Sequence, residues 1–230
     1  MKKWLFLSLI VILGYTATAQ NTDSLAKLDR AWTMNHMRSL DAIKCSQEYS
    51  LDVANDSIEK AATICSLMFN FFEDSSLWSN NRIFIDKRIG LFTEAKELET
   101  HGNVFIGFSP EIKKLKQLRL LWIETNIDKK SIPKQLKECD SLQAISLDGV
   151  NKLNHLPKGV LGLKNLKFFT INMEGINSPQ VIDDIVRLSK SKNIICITLC
   201  NFHPNETLET RLLGTNKIVI QNFDVIEEEK

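Results

Sequence analysis

Glu97, Glu99 and His101 are side chains whose types and spacing could do chemistry, since carboxylates and imidazoles are ordinary ligands of a divalent metal. In an extended segment alternate side chains face the same way, so these three share one side. Successive same-side residues then lie about 6.6 Å apart. Three ligands from one straight strand converge poorly at that distance, and no metal site is assigned. His36, His155 and His203 stand in separate contexts and read as structural or solvated. Signatures of catalysis are missing: there is no G-x-S-x-G, no G-x-x-x-x-G-K, no H-E-x-x-H and no G-x-G-x-x-G after a strand. Gly107-Phe108-Ser109-Pro110 has a superficial likeness to a nucleophile turn, but proline after the serine hinders the helix that would have to follow. The expectation is a chain that is not an enzyme and carries no cofactor.

Five cysteines are an odd number, so at least one is unpaired within a monomer. Cys196 and Cys200 fall in a β-branched run, Asn193 to Cys200, that reads as a strand. Four residues of strand span about 13 Å, whereas a disulfide needs Cα atoms within about 7 Å. These two therefore cannot bridge each other. Cys139 sits at an apolar position and reads as a small core hydrophobe. Cys45 with Cys65 remains, supported by arithmetic alone.

The elements that must position these residues follow from a recurring pattern. Leu118, Leu142 and Leu166 are evenly spaced, and each starts L-x-x-L-x-L: Leu118, Leu121, Ile123; Leu142, Ile145, Leu147; Leu166, Phe169, Ile171. Ile194, Ile197 and Leu199 repeat it after a longer step, and Ala95, Leu98 and Thr100 precede it by nearly the regular one. Pro110, Pro133 and Pro157 fall at one constant offset after Ala95, Leu118 and Leu142 respectively. After the unit that starts at Leu166, Ser178-Pro179 followed by Val181, Ile182, Ile185 and Leu188 predicts a capped amphipathic helix with proline in its first turn. Residues 217–221 predict a last strand that closes the stack.

The units LRLLWIETNIDKKSIPKQLKECDS and LQAISLDGVNKLNHLPKGVLGLKN resemble the leucine-rich-repeat proteins. The likeness is greatest to the subclass with short units and a Leu-Pro step on the outer side. The resemblance covers roughly residues 92–223. It implies an α/β solenoid, with short parallel strands on a concave face and helical or irregular segments on the convex side, and it implies binding of a protein or peptide through that face. The family's asparagine ladder is matched by Asn103 and Asn126, whereas Val150 (with Asn151 one place late), Glu174 and Phe202 depart from it, so the later turns must be built differently.

Repeats need capped ends. Residues 20–91 are read as a helical N-terminal cap: Leu25, Leu28, Trp32, Leu40 and Ile43 keep helical spacing, as do Ile58, Ala61, Cys65, Met68, Phe69 and Phe72, with a capping box at Asp56-Ser57-Ile58-Glu59. Arg82 to Asp86 is the one strand-like run after it, and residues 224–230 form a charged C-terminal tail. Residues 1–19 read as a signal peptide, with Lys2-Lys3, an apolar run from Trp4 to Leu13, and Ala17-Thr18-Ala19 before the cut. That run is too short for a membrane span of roughly 20 residues, and no cysteine follows it for acylation. The chain is therefore expected to be exported, to a periplasm or outside the cell, with no stable membrane span. Without Lys2 and Lys3 the 29 basic residues become 27 against 28 acidic ones, which gives no general attraction to nucleic acid.

Residues between the leucine positions line the concave face. The candidate partner-binding set is Leu120, Trp122, Glu124, Ser146, Asp148, Phe168, Thr170 and Asn172, in which Trp122 and Phe168 form an aromatic pair rimmed by polar groups, as in binding hot spots. Coverage of these rings by the N-terminal helices or a long loop is the competing reading. On the outer side Lys113, Lys114, Lys116, Lys134, Lys137, Lys158 and Lys164 form a basic stripe. This supports an alternative role, an envelope-surface or adhesive protein that binds an anionic polysaccharide, with the ordinary alternative that the stripe is solvated repeat surface.

Overall fold

The computed structural model describes residues 64–70, 82–102, 105–149, 153–176, 178–203, 210–212 and 215–222. It is a mixed α/β structure built on a mostly parallel sheet, an arrangement compatible with a solenoid. Nine strands are present among the described residues: β1 Ser66–Asn70, β2 Arg82–Ile85, β3 Glu97–His101, β4 Phe105–Phe108, β5 Leu120–Ile123, β6 Ala144–Leu147, β7 Phe168–Asn172, β8 Cys196–Cys200 and β9 Ile218–Gln221. Seven of them pair side by side in the order β1-β3-β5-β6-β7-β8-β9, and β2 pairs with β4 in a second, two-stranded sheet. Every pairing is parallel.

Parallel neighbours require a crossover, and among the described residues the crossovers between β1 and β8 contain short outer segments. These are single 3₁₀ turns at Lys87–Leu91, Pro110–Lys114 and Lys134–Glu138, then helix α1 at Lys158–Leu161 and helix α2 at Pro179–Ser189. The prolines found by spacing start these turns. Pro110 is the first residue of its turn, while Pro133 and Pro157 cap theirs in extended backbone. A residue without an N–H is tolerated there because the first N–H groups of a helical turn have no partner within it. The longer step from Leu166 to Ile194 accommodates α2, which has 11 residues and turns Val181, Ile182, Ile185 and Leu188 inward as predicted. The expected serine cap is different: Ser178 Oγ makes no capping bond, and its single O–H lies within donating distance of the Asn154 carbonyl (3.1 Å) and Gln180 Oε1 (2.9 Å).

The core lies between the large sheet and the outer turns. The pairing register sets Leu67, Leu98, Leu121, Ile145, Phe169, Ile197 and Ile218 in one row across all seven strands, and every one is buried. Ile89, Ile112, Leu136 and Val160 form the facing row on the outer turns, each fully buried. Thr100 stands where the neighbouring strands carry Phe69 and Ile123, and its hydroxyl meets that of Thr125 at 3.0 Å, so the buried polar atom is satisfied. Cys139 fills a leucine position, as expected. Its S–H donates to the Ile112 carbonyl at 3.2 Å, and burial pushes the thiol up to about 12.

Residues 66–70 correct the helical reading of Cys65, Met68 and Phe69. Ile64, Leu67 and Phe69 are buried and repeat the spacing of Ala95, Leu98 and Thr100. Extended backbone lets Leu67 and Phe69 join those rows while the strand satisfies the edge of β3, through bonds such as Lys96 N–H to the Cys65 carbonyl at 2.6 Å. Ile85, Ile89 and Phe92, on either side of the expected boundary at residue 92, belong to the same core cluster. The remaining helical expectations, in residues 20–63 and at Phe72, lie outside the described residues, as do the signal peptide, Asn103 and Val150. No helix among the described residues is long and apolar enough to cross a membrane.

Successive units approach closely at Gly149, where a side-chain carbon would collide with the Thr125 carbonyl. Gly149→Ala is expected to lower the free energy of unfolding by about 1–3 kcal/mol, the usual range for overpacking. Urea denaturation measures it, and an unchanged midpoint would mean that the two backbones separate freely.

Candidate functional site

The strands carry the candidate residues on the sheet face turned away from the main core, in rows that the register fixes. The first row holds Glu97, Leu120, Ala144, Phe168 and Cys196; the second holds Glu99, Trp122, Ser146, Thr170 and Thr198. His101, Glu124, Asp148, Asn172 and Cys200 come next along their chains on the same face.

The first row is closed to solvent. Leu120, Ala144, Phe168 and Cys196 form a second apolar cluster with Val219, and Phe168 is only 3% exposed. The expected exposed pair of Trp122 and Phe168 is therefore corrected. Phe168 pairs in register through Ala144 with Leu120, one row away from Trp122, and packs in that apolar cluster. Leu120, also named as a contact residue, is buried with it at 6%.

Trp122, Glu124, Ser146 and Asp148 are brought together. The Trp122 indole N–H donates to Asp148 Oδ2 at 2.6 Å, and the Ser146 hydroxyl lies 3.3 and 3.4 Å from the two oxygens of the same carboxylate. These bonds hold the half-buried ring in one orientation. Burial raises the Asp148 pKa against the opposing effect of the Trp122 and Ser146 bonds, with nearby Glu124 adding to the rise. Thr170 is half-buried beside Ser146. Asn172 serves the turn that follows its strand, where its Oδ1 accepts from the Glu174 N–H at 3.0 Å and from Asn201 Nδ2 at 3.4 Å. This is how the later turns manage without the ladder asparagine, helped by left-handed backbone at Gly175 (φ 72°) and Asn201 (φ 51°).

His101 enters the site as a partner of Trp122. Its ring stands edge-on to the indole, with centroids 6.0 Å apart and planes at 63°. Nδ1 lies 2.6 Å from Glu124 Oε2 and Nε2 lies 3.3 Å from Glu99 Oε2, so a protonated ring donates to both carboxylates. Partial burial works against the charged imidazole, but the carboxylates of Glu124 and Glu99 outweigh it and its pKa is raised. The signal for this cluster was already in the sequence, since Glu99 precedes Trp122 by one repeat unit and so must pair beside it. Among the described residues no group of three or more His, Cys, Asp or Glu side chains is placed to hold a metal ion.

The chemistry of this face is that of a fixed aromatic ring among carboxylates, suited to an apolar group beside a cation or N–H donor. No family model and no curated protein matches the chain.

The basic stripe divides into two kinds of site. Glu111 lies 2.7 Å from Lys114 and 3.9 Å from Lys113, and Lys116 donates to the Glu138 carbonyl at 2.5 Å. Lys134 and Lys158 instead line a groove with residues that follow β5 and β6.

The His101 ring should titrate above the unperturbed value of 6.5, and Glu124→Gln should bring it down, both read by NMR titration of the ring carbons. Because the folded-state pKa lies above the unfolded one, the stability from this ring is fully present below the unfolded value and is lost as pH rises through the folded one. Wild type should therefore lose stability relative to His101→Gln over that window. A His101 ring that titrates at or below 6.5 would contradict the geometry.

Proposed function

We propose that this chain is an exported, non-catalytic leucine-rich-repeat protein that captures a protein or peptide through the face carrying Trp122, Glu124, Ser146 and Asp148. The observation that carries the reading is the indole fixed by Asp148. An aromatic anchor already held in place loses little conformational freedom on binding, and the carboxylates around it supply the polar rim of a hot spot. The repeat identity is supported by the coincidence of sequence spacing with structure: each unit from Ala95 to Leu199 supplies one strand of the large sheet, and the four that start at Ala95, Leu118, Leu142 and Leu166 each supply an outer turn or helix. The same pattern at Ile64, Leu67 and Phe69 supports a further unit before them, so a helical cap built from residues 20–63 would precede β1.

The contact set is Trp122, Glu124, Ser146, Asp148 and Thr170, with His101 and Glu99 positioning Glu124 and the indole. Leu120, Phe168 and Asn172 hold this face together from its buried row and its turn. Export rests on the leader-like residues 1–19.

Affinity capture from the native envelope tests the assignment, with wild type, Trp122→Ala and Trp122→Phe as baits. Proteins retained by wild type should be lost with Trp122→Ala and weakened with Trp122→Phe, while circular dichroism shows both variants folded. The same proteins retained in the same amounts by all three baits would overturn it.

A further inference from the structure

A groove of about 790 Å³ crosses three successive units on the outer side, between the turn after β5, the segment that leads into α1, and the exposed flank of α2. Lys129, Lys130, Lys134, Lys158 and Arg187 stand around it, all exposed. Its floor is aliphatic, made by Ile132, Pro133, Leu156, Pro157 and Leu161. The single carboxylate on its wall is already engaged. Asp184 Oδ2 accepts from the Leu156 N–H at 3.0 Å and lies 3.2 Å from His155 Nδ1, while Oδ1 accepts from Arg187 at 3.0 Å. Among the described residues none of the four lysines forms an ion pair.

Four like charges around one concavity repel each other and concentrate a positive field there, which an anionic ligand relieves. The floor narrows the choice of ligand. Among the described lining residues His155 is the one aromatic ring and none is Asn, Gln, Ser or Thr, so a hydroxyl-rich sugar ring laid on the aliphatic floor would lose hydrogen bonds to water and find few replacements there. The aliphatic side chains of an acidic peptide lose nothing of that kind on this floor. The volume falls within the ~300–1,000 Å³ typical of sites for compact ligands.

We propose that this groove binds an acidic peptide segment of a partner protein, with its Leu, Ile or Val side chains on the proline-rich floor and its Asp or Glu side chains on the lysine rim. The site is separate from the Trp122 face and does not depend on it.

Fluorescence anisotropy with the full chain and a labelled hexapeptide of alternating glutamate and leucine provides the test. Binding should weaken with added salt, weaken by roughly tenfold or more in the double variant Lys134→Glu, Lys158→Glu, weaken also in Lys129→Ala, Lys130→Ala, and persist in Trp122→Ala. A peptide with serine in place of leucine should bind several-fold more weakly. The four lysines are exposed, so unfolding midpoints should stay close to wild type. Equal binding of the leucine and serine peptides, or stronger binding of a sulfated polysaccharide than of either, would overturn the proposal in favour of a general polyanion surface. Binding that survives charge reversal would remove the groove as the site.

Discussion

The described fold depends on keeping parallel strands in register while each leaves one apolar side chain in the inward row from Leu67 to Ile218. A parallel strand satisfies its backbone only through its neighbours, and its Leu67, Leu98 or Leu121 is buried only if the next strand brings its own residue to the same height. Burying each such side chain is worth about 1.5–3 kcal/mol, but the gain is shared between adjacent units. Stability is therefore cooperative along one dimension. The close passage of backbone at Gly149 and the hydroxyl pair Thr100 with Thr125 are local conditions for keeping that step constant.

The strands β3, β5, β6, β7 and β8 were legible because alternation and a nearly constant spacing act together, with Ala95, Leu118, Leu142, Leu166 and Ile194 each marking one, whereas β4 lies outside that spacing and was not. Proline offsets located the outer turns for the same reason. β1 was hidden because Cys65, Met68 and Phe69 also satisfy helical spacing, and the longer step from Ile64 to Ala95 breaks the rhythm that exposes the others. Periodicity alone does not arbitrate such a short run. The edge of β3 does, by offering backbone partners that only a strand can use.

The face of the candidate site was partly legible. Alternation assigns Phe168 and Trp122 to the same side of the sheet, but not to the same row, and it does not say which row is open. The composition of the row held a clue, since Leu120, Ala144, Phe168 and Cys196 follow Glu97 as an apolar run, while Glu99 in the next row is followed by tryptophan, serine and two threonines. What spacing could not supply was the choice of partners. Glu124 could have reached solvent, but it lies within hydrogen-bond reach of His101, and Asp148 could have done the same, but it accepts from the indole.

Cys139 gives the stack a built-in reporter. Only the thiolate reacts with alkylating reagents, and a buried thiol whose sulfur points at the Ile112 carbonyl is both shielded and almost wholly protonated. It becomes reactive when the unit before it moves away. The rate at which this sulfur is modified in the otherwise native protein is therefore a clock for the parting of neighbouring layers in the middle of the array, distinct from fraying at its ends.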